Sequence, residues 1–279
     1  MRTDLSVRRE MTIDDVRNKA PSAFATQPYH EVSKHYKFVP TSTVVEKMID
    51  NGFIPVMAAE CKTRNGSGKA GFSKHIMRFR HSDLSKSLLT TTKEEVPELV
   101  LTNSHDRTSG YTLEAGIFRM VCSNGLIVCS ESFEKISIRH MGSENLINDV
   151  LEGSFKIIET LPVIMETVEK WKNIHIGKDQ QLEYAKSALA LSKNSLEFRP
   201  EQLLEYRRFD DMGENGSNSL YKTFNVVQEN LVRGGLNGKS ESGKYRHSKA
   251  ITAISADTQL NRSLWQLTET FNKTLNIAA

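Results

Sequence analysis

Two stretches hold side chains whose types and order suggest chemistry. In Leu101–Tyr111, LTNSHDRTSGY, a serine, a histidine and an aspartate stand together as Ser104, His105 and Asp106. Nucleophilic triads draw their members from distant chain positions so that three side chains converge on one centre. Adjacent residues diverge, so turn-shaping hydrogen bonds are the expected work of Asn103, Ser104 and Asp106. A metal centre on His105 and Asp106 would need two further ligands, with His75, His81 and His140 as the candidates. The second stretch, Gly238–Lys244 (GKSESGK), nearly completes a phosphate-cradling GxxxxGK[ST] loop. Tyr245 stands where the magnesium-binding hydroxyl belongs, and a helical pattern precedes the loop instead of a strand. ATP hydrolysis is therefore not expected. Neither stretch makes an enzyme, and no cofactor or metal site follows from them.

Charge gives the more specific pointer. The net value of +3 is small, but its distribution is uneven. Lys62, Arg64, Lys69, Lys74, Arg78, Arg80 and Lys86 face only Glu60 and Asp83, and Arg233, Lys239, Lys244, Arg246 and Lys249 face only Glu241. Clusters of this kind suit an anionic partner, nucleic acid first. Lys74–His81, KHIMRFRH, alternates, so burying Met77 and Phe79 lays Lys74, Arg78 and Arg80 along the opposite face of a strand. With Lys62, Arg64 and Lys69 from the adjoining glycine-rich loop and Arg107 from the His105 turn, they form an expected phosphate track. Tyr111 is the expected stacking aromatic. Arg119 shares a strand face with Ile117 and Val121; it either ends that groove or pairs with Glu131 or Glu134. Lys244, Arg246 and Lys249 are the expected contacts of a mobile basic segment, Gly234–Lys249. An ordinary solvated surface is the plain alternative for each block.

The elements that must position these residues are legible in part. Three apolar runs, Leu99–Leu101, Tyr111–Cys122 and Leu126–Cys129, predict the centre of an antiparallel sheet, with Asn124-Gly125 as a hairpin turn. His35–Val39, Phe53–Cys61 and Lys74–His81 are further expected strands. A helix is expected behind a Thr12 cap, and another behind Thr41 or Thr43, the latter with Glu46 in capping-box register. After Ile138 the apolar period lengthens to 3.6, predicting a long helix from Leu146 that Pro162 kinks or splits. Helices at Gln181–Leu191, Arg199–Arg207 and Leu220–Val232 and a closing one through Leu260 and Phe271 complete an α+β chain. Residues 1–30 are expected to be loosely attached, 31–175 to form a β-rich core with the long helix, and 176–279 a helical region. Trp171 and Trp265 are expected core anchors. Cys61, Cys122 and Cys129 lack metal spacing and read as reduced thiols. No signal peptide or membrane span is visible, so a cytoplasmic protein of a bacterial host cell is expected.

HYKFVPT, the KHIMRFR strand, LTNSHDRTSGY, GIFRMVCSNGL, QENLVRGGLNG and LNRSLWQLTET together resemble the phage- and plasmid-like family known as domain of unknown function 932. The likeness runs from about Tyr29 to Phe271. One departure stands out, because the family's loop commonly ends in glycine where this chain has Arg107. The resemblance implies a mobile-element setting and carries no residue roles. A hairpin, further antiparallel strands and a long helix also resemble, at the level of architecture, the single-strand annealing proteins of the phage Red-beta and RecT type, which form rings or filaments. The expected function is thus a non-enzymatic, self-associating protein that binds and pairs single-stranded DNA, or RNA. The alternatives are an anti-defence factor bound to a host defence or recombination protein, and a metal-dependent nuclease.

Overall fold

A computed structural model describes residues 10–63, 68–82, 95–119, 125–128, 135–140, 145–192, 195–207 and 218–277, with the backbone alone at 119, 125–128 and 276–277. Residues 83–94 of the expected linker, Asn124 of the expected hairpin turn, Cys122, Cys129 and most of Asp210–Ser219 lie outside these residues. The fold is α+β. It comprises two compact units, Met1–Leu161 and Pro162–Ala279. Among the described residues no helix is long and apolar enough to cross a membrane.

The first unit is built on an antiparallel sheet. Strands β1 (Phe53–Glu60), β2 (His75–His81), β3 (Glu95–Asn103), β4 (Tyr111–Arg119) and β5 (Gly125–Val128) lie in that order, and β6 (Ile136–Ile138) also pairs with β4. Register brings Met77 beside Leu101 and Leu101 beside Leu113, with Phe79, Leu99 and Ala115 in the next row. All six are buried. The helix α3 (Leu146–Asn173) approaches this face at Gly153, where a Cβ would lie 2.8 Å from Leu113 Cδ1. A larger residue at 153 would force the Leu113 and Ile136 side chains to shift. Pro162 does not interrupt α3, although the boundary between the units falls at that residue.

The opposite sheet face is closed as well. Ile76, Arg78, Glu98, Val100 and Glu114 are all buried, whereas the alternation of β2 predicts a wet cationic side. Residues 10–30 are also not loose. Helix α1 (Ile13–Lys19) is closed by a Thr12/Asp15 capping box, Met11 N–H donates to the Pro55 carbonyl at 2.8 Å, and Ser22 N–H donates to Glu60. Val16, Ala20, Ala23 and Tyr29 are buried. Strand β1 is an outer strand of the sheet, and its pairing shifts register between Pro55 and Met57. The expected strand His35–Val39 is irregular backbone instead, and Lys37 N–H donates to the His140 carbonyl.

The second unit packs α4 (Lys178–Ala190), α5 (Leu220–Arg233) and α6 (Ile254–Ile277). Trp171 and Trp265 are fully buried with ring centroids 4.5 Å apart, the anchor role expected of them. Short strands β7 (His175–Ile176) and β9 (Asn218–Ser219) pair with each other. A three-stranded sheet joins β8 (Glu197–Phe198), β10 (Asn237–Lys239) and β11 (Tyr245–His247) in the order β11-β10-β8. Gly234–Lys249 is therefore a folded hairpin.

Candidate functional site

In the first unit the chain folds a set of polar side chains onto one hydroxyl. Thr41 opens α2 (Thr41–Asp50); the N-cap position is Pro40, so no side chain caps that helix, and the Thr41 hydroxyl turns inward. Its Oγ1 lies 2.9 Å from His75 Nε2, 3.1 Å from His105 Nε2 and 3.0 Å from Asn103 Nδ2. The donors can be assigned by counting. His75 Nδ1 faces the Ser73 carbonyl at 3.0 Å and must donate to it, so its Nε2 accepts the Thr41 proton. The Thr41 oxygen then accepts from Asn103 and from His105 Nε2, leaving His105 Nδ1 to accept from Tyr36 Oη at 3.4 Å. His140 Nε2 donates to Asn103 Oδ1 at 2.8 Å, and its ring lies between Tyr36 and Tyr111. Turning the Asn103 amide over would take the Thr41 proton from His75. One orientation of each group therefore satisfies the contacts around Thr41, while His140 Nδ1 is buried without a hydrogen-bond partner.

Burial keeps these imidazoles neutral. It lowers His75 to about 4, His105 to about 3, with His75 and His140 adding repulsion, and His140 to about 4. The unfolded chain binds protons near pH 6.5, where the folded chain does not. Stability of this unit is then full above pH 7 and falls as pH drops through 6.5, by at most about 1.4 kcal/mol per pH unit for each histidine. Urea midpoints should be level between pH 7 and 9 and decline steeply from 6.5 to 5. A level midpoint down to pH 5 would contradict the neutral network.

The turn at 104–109 is shaped by hydrogen bonds. Ser104 Oγ accepts from Ser109 N–H at 2.8 Å, and Asp106 Oδ1 accepts from the Thr108 amide and hydroxyl. Burial by itself would raise the Asp106 carboxyl, but the Thr108 and Ser104 bonds and Lys69 at 3.5 Å hold it below its ordinary value. Arg107 has φ +73°, the left-handed region that glycine tolerates best, and its guanidinium donates to the Glu31 carbonyl at 2.7 Å. His75 and His140 do gather near His105, whereas His81 packs against Phe53. Among the described residues no group of three His, Cys, Asp or Glu side chains is placed to hold a metal ion.

The expected phosphate track takes a different form. Arg78 is 3% exposed, 2.8 Å from Glu98 Oε2, and its guanidinium lies 3.5 Å over the Phe118 ring. Arg80, 12% exposed, is held by Glu98 Oε1 at 3.0 Å. The two arginines neutralise a buried carboxylate and form no open row. Tyr111 is fully buried, with its hydroxyl near the Val39 carbonyl and Thr41, and offers no stacking face. Lys69 faces Asp106, Lys62 and Arg107 are exposed, and Lys74 is half-buried. Arg64 and the Arg119 side chain lie outside the described residues.

The second unit presents the cations that the first withholds. On the β10–β11 hairpin, Lys239, Lys244, Arg246 and Lys249 are all exposed, and no ion pair holds any of them among the described residues. Tyr245, 77% exposed, is the most open of the large hydrophobic side chains described. It pairs across the hairpin with Lys239 and shares that face with His247, while Arg246 lies opposite Gly238 on the other side. Gly238 leaves room for Phe198, whose ring carbon would sit 2.6 Å from a Cβ there. The turn is closed by Ser240 N–H to the Lys244 carbonyl and by Gly243 at φ +79°. Lys244, Arg246 and Lys249 were legible as a basic block. Tyr245 was legible only as a mismatch to the phosphate-loop pattern.

A family model described as Domain of unknown function (DUF932) matches residues 28–265. The chain belongs to the DUF932 family. It is 32% identical over 263 residues to the UPF0380 protein YafZ of Escherichia coli (strain K12), covering 94% of this chain and 91% of that protein. Its identity to the UPF0380 protein YfjQ of the same organism is 31% over 264 residues, 94% and 92% of the two chains. No solved structure matches. The matched DUF932 region contains both the Thr41-centred network and the basic hairpin.

Proposed function

We propose that this DUF932 protein binds single-stranded nucleic acid through the β10–β11 hairpin and acts without catalysing a reaction. Pairing of complementary strands by an assembly of several copies, in the cytoplasm of a host carrying a mobile element, is the role it would serve. The observation that carries the reading is Tyr245, open to solvent on a hairpin with four exposed cations that no carboxylate neutralises among the described residues. Single-strand binders combine these two elements, lysine and arginine for phosphates and an aromatic ring for a base face. Glu241 at the turn is the one acid within the hairpin.

If Lys239, Lys244, Arg246 and Lys249 each neutralise a phosphate, log affinity should fall with log salt at a slope of about −0.7 per contact, near −3 in total. Affinity for a labelled oligodeoxythymidylate should therefore drop roughly fifty-fold between 50 and 200 mM salt. The triple variant Lys244→Ala, Arg246→Ala, Lys249→Ala should flatten that slope to about −0.7 and weaken low-salt binding more than tenfold, with unchanged melting. Arg78→Ala would not test the site, since it opens the core. Complementary labelled strands, incubated with and without magnesium, distinguish the rival readings. Faster pairing supports the proposal, inertness favours a host-protein partner, and cleavage would favour a nuclease.

A further inference from the structure

We infer that a half-open cavity at the foot of the hairpin receives one base of the bound strand, an inference that rests on the single-strand reading above. The cavity holds about 230 Å³ and is walled by Leu191, Leu231, Ile251 and Leu260, with Ser192, Gln259 and Ser263 at its edges. Drug-sized ligands occupy roughly 300–1,000 Å³, so this space suits a single planar ring and excludes a dinucleotide. Aliphatic walls with a few hydroxyl and amide groups are what an unstacked base needs, apolar contact on its faces and hydrogen bonds at its edge.

The position of the cavity supplies the second part of the argument. Ile251 lies two residues beyond Lys249, which limits their separation to about 7 Å along an extended chain. That backbone is fixed. Ile251 N–H donates to the Val232 carbonyl at 2.8 Å, Gly235 N–H donates to the Ser248 carbonyl, and a Cβ on Gly234 would lie 2.6 Å from the Lys249 carbonyl carbon. Cavity wall and cationic strand are thus one piece of chain. Among the described residues no charged side chain lines the cavity, and exposed Lys249 stands two residues before Ile251 of its wall. An uncharged lining joined by two residues of chain to a cationic segment matches a nucleotide, whose base is neutral and whose phosphate is not.

The test uses the full chain and two labelled oligonucleotides of equal length, one of thymidylate and one abasic throughout. Ala256, an exposed residue at the cavity wall, is replaced in the variant Ala256→Trp to fill the space. The wild type should bind thymidylate about tenfold more tightly than the abasic strand. Ala256→Trp should bring thymidylate close to the abasic affinity and leave the abasic affinity unchanged. Ser263→Leu should do the same, which covers the case in which the tryptophan variant fails to fold. Unchanged thymidylate binding by folded variants would overturn the inference and leave the single-strand reading standing. If neither oligonucleotide binds the wild type, that reading itself fails. If filling the cavity leaves thymidylate binding intact but shifts the sedimentation of the free protein, the occupant is a second copy, and the inference is again overturned.

Discussion

Thr41→Val should destabilise the first unit by several kcal/mol while leaving its shape almost filled. Valine keeps the volume and removes one oxygen, on which His75, His105 and Asn103 all converge. Each buried polar group left without a partner costs about 1–3 kcal/mol, so the combined loss is about 3–9 kcal/mol. Thr41→Ser keeps the oxygen and loses one methyl, and should cost about 1 kcal/mol. The ordering of the two variants is the informative part, since a merely packed threonine would rank valine above serine. Tryptophan fluorescence cannot read this unit, because both tryptophans belong to the second. Hydrogen exchange at the amides of β3 and of the 104–109 turn measures it directly. Equal protection in Thr41→Val and wild type would show that the network contributes nothing.

Glu98→Gln should cost about 3 kcal/mol. Its carboxylate is fully buried and serves both Arg78 and Arg80. Breaking a buried pair typically costs 3–5 kcal/mol, because the surviving charge has left water and found no counterpart. The lower end applies here, since Glu114 is buried on the same sheet face and Arg80 is close enough to solvent to regain some of it. The double variant Arg78→Met, Glu98→Leu should recover most of the loss, as apolar replacement of buried ion pairs commonly does. Urea unfolding of the three proteins tests this. A single variant as stable as the wild type would mean that the arginines are solvated after all.

Strand periodicity placed Met77 and Phe79 on one face and Arg78 and Arg80 on the other, and the sheet keeps that division. It could not say that the second face is covered as well. A signal was available in β3, where Glu98 interrupts VPELVL. A lone acid inside an apolar strand marks a buried partner for a base on the next strand. The helix-start rule found α2 but misplaced the work of Thr41, since a hydroxyl at a helix start can serve the core as readily as the helix end. Convergence of His75, His105 and His140, which are far apart in sequence, depends on the register of β2 with β3 and on the path of residues 139–140, and no local pattern encodes either. Gly234–Lys249, glycine-rich and basic, reads from sequence as a mobile segment. Its glycines have specific uses instead, with Gly234 against the returning strand, Gly238 beneath Phe198 and Gly243 in the turn.

The proline and register shift in β1 bear on how copies of this chain can associate. Pro55 has no amide proton to offer a neighbouring strand, its carbonyl is already taken by Met11, and the irregularity beside it twists the margin of the sheet. Edge-to-edge joining of sheets, the cheapest route to an endless fibre, is blunted on that side. A ring or filament of these molecules would therefore not be joined strand to strand through β1.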